Sequence, residues 1–142
     1  MNKGVSARTR SRELLVQALY QMQIADHDYR ELLSQFRERP DYLKVDQPYF
    51  DELLQAICGS VPEIEASLAR YADRPLDQLD PVEKSILYIG HHELSSVPEV
   101  PYRVIINEAV NLTRRFGAAD GHKYINALLD RASKELRAIE RS

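Results

Sequence analysis

The chain has 142 residues, 44% of them hydrophobic and 29% charged, which suits one folded domain with its own core. Its single cysteine excludes an internal disulfide or a zinc–cysteine cluster, and no apolar run is long enough to cross a membrane, so we expect a cytoplasmic protein without membrane contact. The net charge of −3 divides into +3 over residues 1–20, −9 over 21–102 and +3 over 103–142, which fits either partners of opposite charge at different surfaces or chance variation among solvated helix faces.

Apolar residues recur every three or four positions along the first half of the chain, which predicts helices. The first covers residues 10–26, with Ser11 on its apolar stripe, and a second, short helix ends before Pro40. Residues 40–46 are predicted to form a loop. Asp46 is placed to cap a third helix, and we expect Gly59 to end that helix in a left-handed conformation.

The fourth and fifth helices are predicted from their end signals. Ser60 can cap a short fourth helix, which Arg74-Pro75 closes. Asp80-Pro81-Val82-Glu83 is the clearest helix start in the chain, because it combines an N-cap, a first-turn proline and a glutamate at the third helical position.

Residues 95–142 predict a connector followed by two longer helices. The segment from Ser95 to Pro101 is a rigid, proline-containing connector, and the helix after it ends at Gly117. Asp120 is placed to cap a final helix whose inner face extends to Ile139. These patterns predict an all-α fold of about seven helices.

The polar residues do not form a recognisable catalytic or metal site. His91 and His92 are adjacent on a helix and diverge by about 100°, so they cannot hold one metal together. Cys58 lies among apolar residues, which is typical of a core cysteine. The spacing of Asp80 and Glu83 is already explained by capping. We therefore expect a protein that is not an enzyme and needs no cofactor or metal.

The amino-terminal basic run is the best candidate for binding. Arg8, Arg10 and Arg12 alternate with polar residues near the start of the first helix, and guanidinium groups can grip phosphates or stack on bases. Tyr20 lies farther along that helix, off its apolar stripe, where it can stack on an unpaired base or pack partly into the protein.

A second basic segment opens the final helix. Lys123 can meet a phosphate there, and Tyr124 can either stack on a base or pack. If the first and last helices lie side by side, the two basic segments form one surface.

Several segments resemble, in order and spacing, the transcription antitermination factor NusB family. The opening helix, Arg8 to Tyr20, carries the first part of the resemblance, and Pro81 to Leu87 the next. The most specific segment is Val100-Pro101-Tyr102-Arg103-Val104-Ile105-Ile106-Asn107-Glu108-Ala109-Val110. Phe116-Gly117 and Asp120-Gly121-His122-Lys123-Tyr124-Ile125-Asn126 follow at the family's spacing.

The resemblance implies a bacterial protein made of two small helical subdomains that form one compact domain. It implies pairing with the ribosomal protein NusE, binding of single-stranded boxA RNA, notably from ribosomal RNA operons, and membership of an antitermination complex on RNA polymerase. Carried over from the family, the expected RNA contacts are Arg8, Arg10, Arg12, Tyr20, Phe116, Lys123 and Tyr124. Asp77, Asp80 and Glu83, in the acidic middle, become candidates for contacting the basic ribosomal partner.

One departure from the family pattern, the domain organisation and two alternative functions complete the expectations from the sequence. Tyr88 stands where the family often has a basic residue, which removes one possible contact. We expect residues 1–142 to form a single domain, with residues 1–7 as a flexible arm. A helical protein–protein adaptor or homodimer without an RNA role is an alternative, and so is an accessory domain of an RNA methyltransferase.

Overall fold

A computed structural model describes residues 5–142, and this part of the chain is helical throughout, with no strand. It contains eight α-helices, one more than the sequence predicts: α1 Ala7–Ala25, α2 Tyr29–Arg37, α3 Gln47–Cys58, α4 Val61–Ala69, α5 Pro81–Ser96, α6 Tyr102–Phe116, α7 Gly121–Leu136 and α8 Ala138–Arg141. Two short 3-10 helices, Pro40–Lys44 and Leu76–Gln78, join them. None of the described helices combines the length and the apolar character that a membrane span requires.

The first helix begins earlier than the apolar stripe indicates. Ser6 is its N-cap, and the Ser6 Oγ accepts a hydrogen bond from the Thr9 backbone N–H at 3.1 Å. Residues 6 and 7 are therefore part of an ordered helix start, and the expectation of a flexible arm is wrong for them. Residues 1–4 of that expected arm lie outside the described residues. At the other end of α1, Asp26 adopts the left-handed conformation, with φ of 53°.

Two of the predicted helix starts are confirmed. The Asp46 carboxylate accepts from the backbone N–H of Tyr49, and the Asp80 carboxylate from that of Glu83 at 2.9 Å. Asp28, which the sequence analysis left unassigned, forms a full capping box with Glu31 at the start of α2.

Other predicted boundaries are wrong in detail. Gly59 ends α3 with φ of −83°, in the right-handed region, so its conformational freedom is not used there. The Ser60 and Asp120 side chains make no capping hydrogen bond. The predicted loop of residues 40–46 contains a 3-10 helix, and α4 ends at Ala69, ahead of Arg74-Pro75.

The helices share one continuous core. The group α1–α3 packs on the group α4–α7 mainly through contacts of α1 and α3 with α5. The helix α5 also contacts α4, α6 and α7, so it lies at the centre of the fold. Gly90 of α5 permits the close approach of α7, because a Cβ at this position would lie 2.8 Å from Leu129 Cδ1.

The final helices differ from the sequence-based expectation in two ways. The helix α7 packs on α6 and α5 rather than on α1, so the first and last helices do not lie side by side as assumed. It ends at Leu136, and Ile139, expected on its inner face, is 92% exposed in the separate helix α8.

Arg137 explains why the chain turns after α7. Its buried guanidinium donates hydrogen bonds to the backbone oxygens of Glu93 and Leu94 in α5, at 3.0 and 2.7 Å. It also donates to the oxygens of Val97 and Val100 at 2.8 and 2.9 Å. The oxygens of Glu93 and Val97 also accept from the backbone N–H groups of Val97 and Val100, so Arg137 adds a second bond to these two and supplies the donor for Leu94 and Val100. One side chain thus ties the carboxyl end of the chain to the α5–α6 connector.

We expect Arg137→Ala to lower the free energy of unfolding by about 3–5 kcal/mol, because it leaves the buried carbonyl oxygens of Leu94 and Val100 without a donor and removes one of the two bonds to those of Glu93 and Val97. Urea denaturation monitored by circular dichroism measures this change. Arg70→Ala is the matched control, since Arg70 makes an exposed ion pair with Glu135 and its loss is expected to cost under about 1 kcal/mol. Equal stability losses in the two variants would contradict the assigned role of Arg137.

Candidate nucleic-acid interface

The arginine run at the start of α1 does not form one surface. Successive residues of an α-helix are rotated by about 100°, so arginines two positions apart point in nearly opposite directions. The side chains of Arg8, Arg10 and Arg12 have three different environments.

Arg12 points into the protein and is 4% exposed. Its Nε and Nη2 meet the Glu93 carboxylate of α5, both at 2.9 Å from Oε2, and its Nη1 donates to Glu108 Oε1 of α6 at 2.7 Å. A guanidinium that is buried and paired with two carboxylates does not face the solvent, where a phosphate would bind. In this structure Arg12 joins α1 to α5 and α6, which argues against the predicted contact with RNA; that contact stays a prediction.

Two hydroxyl groups complete this buried network. Tyr49 of α3 donates its hydroxyl to Glu93 Oε2, and Thr9 Oγ1 donates to Glu108 Oε1 at 2.7 Å. Burial, together with the charge of Glu93, raises the pKa of the Tyr49 hydroxyl, which keeps it protonated as a donor. The network thus links four helices, α1, α3, α5 and α6, around one guanidinium.

Arg8 lies beside α3. Its Nε is 3.5 Å from Asp46 Oδ2, and its guanidinium carbon is 4.1 Å from the centre of the Tyr49 ring. The side chain is 41% exposed, so one face of the guanidinium remains open to solvent. Its contact with RNA stays a prediction.

Arg10 lines a groove that we call the α1 groove. The groove's charged end has a volume of about 230 Å³ and is lined by Arg10, Glu13, Leu14, Gln17, Pro40, Asp41, Lys44, Val45, Arg115 and Phe116. Arg115 Nη1 pairs with Glu13 Oε2 at 3.1 Å. Within residues 5–142, neither Arg10 nor Lys44 has a carboxylate within 4.0 Å, so both positive charges are available to a ligand.

The other end of the α1 groove is aromatic and apolar. It has a volume of about 540 Å³ and shares Gln17 and Phe116 with the charged end; its lining is Val16, Gln17, Tyr20, Gln21, Ile24, Phe36, Arg39, Val82 and Phe116. Tyr20 is 38% exposed, and Phe116 is half-buried. The Nη2 of Arg39 donates to Gln17 Oε1 at 2.8 Å. The structure thus brings Arg10, Tyr20 and Phe116 together along one groove.

The start of α7 lies near the α1 groove, because the first turn of α5 contacts both. Val82 lines the groove, and the carboxylate of its neighbour Glu83 lies against Gly121, where a Cβ would collide with it. Lys123 follows and is 76% exposed. Tyr124 is half-buried, its hydroxyl is buried, and the Arg74 guanidinium carbon lies 4.2 Å from the centre of its ring. Packing therefore accounts for much of Tyr124, while contact of either residue with RNA stays a prediction.

The three acidic residues assigned to a protein partner also differ from one another. Asp77 and Asp80 are exposed, although Asp80 also caps α5. Glu83 is buried against the start of α7, and burial, with Asp80 nearby, raises the pKa of its carboxyl group. Contact of Asp77, Asp80 and Glu83 with a partner stays a prediction, and Glu83 is the least accessible of the three.

The cysteine, histidine and tyrosine residues considered in the sequence analysis are packed within the fold. Burial raises the pKa of the Cys58 thiol to about 11, and its Sγ lies 3.6 Å from Met22 Sδ. His91 is buried beside Ser67, with its Nε2 at 2.7 Å from the Ser67 Oγ. Tyr88 is buried and hydrogen-bonded to Glu65, so it does not replace a surface cation. Within the described range, no cluster of histidine, cysteine or acidic side chains could hold a metal ion.

Sequence reasoning missed four residues that build the interface. Glu93 and Glu108 fix Arg12, and Arg39 and Arg115 line the α1 groove. Glu93 carried a usable signal, because an acidic residue within an apolar helical stretch needs a cationic partner when buried. Arg115 also carried one, because it is basic and precedes Phe116. Nothing local marked Arg39, whose place depends on the turn after α2.

Fold and site together define a class: an all-helical protein with an open groove that carries unpaired cations at one end and partly exposed aromatic rings at the other. The NusB family model matches residues 9–134. The transcription antitermination protein NusB of Hydrogenovibrio crunogenus is 40% identical over 99% of this chain and 87% of its own length. The protein of that name from Paraburkholderia phymatum is 44% identical over 95% of this chain and 93% of its own length.

A solved structure agrees with these sequence comparisons. The structure of T. maritima NusB superimposes with a TM-score of 0.74 and 25% sequence identity, covering 92% of this chain and 94% of its own. The chain therefore belongs to the NusB family, as the resemblance of its motifs indicated.

We expect Arg12→Ala to lower the free energy of unfolding by about 3–5 kcal/mol, because it leaves the buried carboxylate of Glu93 and the half-buried carboxylate of Glu108 without a counterion. The matched control is Arg10→Ala, which removes the same side chain two positions away on the open face and is expected to cost under about 0.5 kcal/mol. Chemical denaturation of both variants provides the comparison. The triple variant R12M/E93Q/E108Q removes all three charges and should be more stable than R12A. If R12A unfolded no more easily than R10A, the buried network would not hold these helices together.

Proposed function

We propose that this protein is a transcription antitermination factor that binds single-stranded boxA RNA of nascent transcripts, notably from ribosomal RNA operons. It acts with the ribosomal protein NusE in a complex on RNA polymerase, in the bacterial cytoplasm, and without catalysis. The observation that carries the RNA part of the proposal is the α1 groove. Its unpaired Arg10 and Lys44 lie at one end, and its aromatic side chains Tyr20 and Phe116 extend to the other.

This arrangement suits a single strand better than a duplex. Unstacked bases can lie on aromatic rings while the phosphates meet cations, and both kinds of contact are needed for tight binding of single-stranded nucleic acid. Tyr20, Ile24 and Phe116 at the aromatic end of the groove offer apolar contacts to bases. The relatives of this chain are transcription antitermination proteins, which supports the role in transcription.

The partner surface we propose for NusE lies on the exposed acidic residues Asp77 and Asp80, before and at the start of α5. Acidic side chains complement a basic ribosomal protein and would speed its association. This surface adjoins the RNA face through α5, because the neighbouring residues Val82 and Glu83 contact the α1 groove and the start of α7. An RNA strand and a protein could therefore bind side by side.

The double variant Arg10→Gln and Lys44→Gln should weaken binding of boxA RNA about tenfold at moderate salt. It should also reduce the slope of log affinity against log salt by about 1.4, since each single-strand phosphate contact contributes about 0.7. Fluorescence anisotropy with labelled boxA RNA, with and without NusE, measures both effects.

Phe116→Ala should weaken binding through lost stacking, by about 1–3 kcal/mol, without changing the salt slope.

The matched control is Arg30→Gln with Arg37→Gln, which removes two positive charges from α2 at a depression away from the α1 groove. It should leave both affinity and salt slope within error of the wild type. Equal weakening by the two double variants would mean that overall charge, not the α1 groove, attracts the RNA. Equal binding of boxA and scrambled RNA by the pair with NusE would refute the proposed specificity.

Asp77→Lys should slow association with NusE several-fold at low salt, and the difference should vanish at high salt, because the contact is electrostatic and exposed. Stopped-flow mixing or surface plasmon resonance gives the association rate constants. The control Glu52→Lys makes the same charge reversal at an exposed position of α3. A similar slowing by both variants would place the partner surface elsewhere.

A further inference from the structure

The outer side of α6 and α7 carries a second groove, distinct from the α1 groove, which we call the α6–α7 groove. It has a volume of about 420 Å³ and is lined by Tyr102, Arg103, Ile106, Asn107, Val110, Arg114, Asn126 and Asp130. Its α6 wall is a stripe at helical spacing, in which Arg103, Asn107 and Arg114 are exposed. None of these side chains belongs to the predicted RNA contacts or to the proposed NusE surface.

The charges of this groove are available to an anion. Within the described part of the chain, neither Arg103 nor Arg114 lies within 4.0 Å of a carboxylate; the Nε of Arg103 donates only to the neighbouring Tyr102 hydroxyl, at 3.1 Å. The single acidic residue of the lining, Asp130, is already neutralised. Its Oδ1 lies 2.8 Å from Arg141 Nη1, and its Oδ2 lies 3.9 Å from Lys134 Nζ. The groove therefore presents a net positive surface, with the two asparagines as neutral hydrogen-bonding groups.

The stripe on α6 leads directly to the α1 groove. Arg114 is followed by Arg115 and Phe116, which both line the charged end of the α1 groove. The last turn of α6 thus supplies cations to both grooves. Arg103 lies eleven residues before Arg114, about 17 Å along the helix axis, which is long enough to follow several nucleotides of an extended strand.

We propose that the α6–α7 groove is a second RNA track, which holds the phosphodiester backbone of the strand flanking the element bound in the α1 groove. Arg103 and Arg114 bind phosphates, and Asn107 and Asn126 hydrogen-bond to the sugar or to base edges without selecting a sequence. This inference rests on the proposed function, since it extends the RNA bound in the α1 groove. Its effect is a dependence of affinity on RNA length that the α1 groove alone cannot produce.

The test compares boxA RNA of about 12 nucleotides with the same RNA extended by about ten uridines at either its 5′ or its 3′ end. We expect one of the two extensions to tighten binding by the wild-type protein several-fold and to steepen its salt dependence by about 1.4 in slope, as two added phosphate contacts predict. The variant Arg103→Gln with Arg114→Gln should bind the short RNA as the wild type does and lose the gain from the extension.

The control Arg30→Gln with Arg37→Gln carries the same loss of charge on α2 and should keep the full gain. A complementary readout is hydrogen exchange of the peptide covering residues 102–114, which should be slowed further by the extended RNA than by the short one. The inference is overturned if neither extension tightens binding, if R103Q/R114Q keeps the gain, or if both double variants lose it equally. The last result would indicate a general electrostatic attraction.

Failure of the proposed function gives a different pattern. In that case the wild-type protein, with or without NusE, binds the short boxA RNA and a scrambled RNA equally. This result is obtained with the short RNAs alone, without the extended ones. If an acidic protein segment is the true occupant of the groove, R103Q/R114Q binds both RNAs as the wild type does, which also contradicts the RNA track.

Discussion

The arrangement of this protein depends on one buried guanidinium. Arg12 satisfies Glu93 and Glu108, and these carboxylates also accept hydrogen bonds from Tyr49 and Thr9, so one side chain fixes the relative positions of α1, α3, α5 and α6. Removing a single partner of such a network leaves a charge without compensation in a low-dielectric interior, which makes the set cooperative. Because Arg12 points inward, the helix repeat turns Arg10 outward and sets Arg8 against α3.

The orientation of α1 also decides which of its side chains form the α1 groove. The inward face of α1 is used for joining the two helix groups, and its outward face forms one wall of the α1 groove with Arg10, Gln17 and Tyr20. The opposite wall comes from distant parts of the chain: the 3-10 helix after α2, Val82 of α5 and the last turn of α6. Arg137 adds a second fixed point, since its hydrogen bonds to the α5–α6 connector set where α6 begins. The walls of the α1 groove are therefore held in place by buried polar contacts as well as by apolar packing.

Much of the fold could be predicted from the sequence because local signals and apolar periodicity agree. Asp46 and Asp80 cap helices as expected, and the stripe on α1 faces the core. The failures share a cause, which is tertiary contact. Ser60 and Asp120 have capping residue types but make no capping bond, and the end of α7 is decided by Arg137, whose acceptors lie in another helix. In the same way, alternating arginines suggest one basic surface until the partners of Arg12 are known, and those partners lie more than eighty residues away.

The most direct test of the central claim is the reactivity of individual arginines towards a dicarbonyl reagent, read by mass spectrometry in the free protein and with boxA RNA and NusE. We expect Arg12 to be unmodified in both states, because its guanidinium is buried and paired with two carboxylates, and Arg10 to be modified in the free protein and protected by RNA. An Arg12 that reacts in the free protein and becomes protected only when RNA binds would contradict the account.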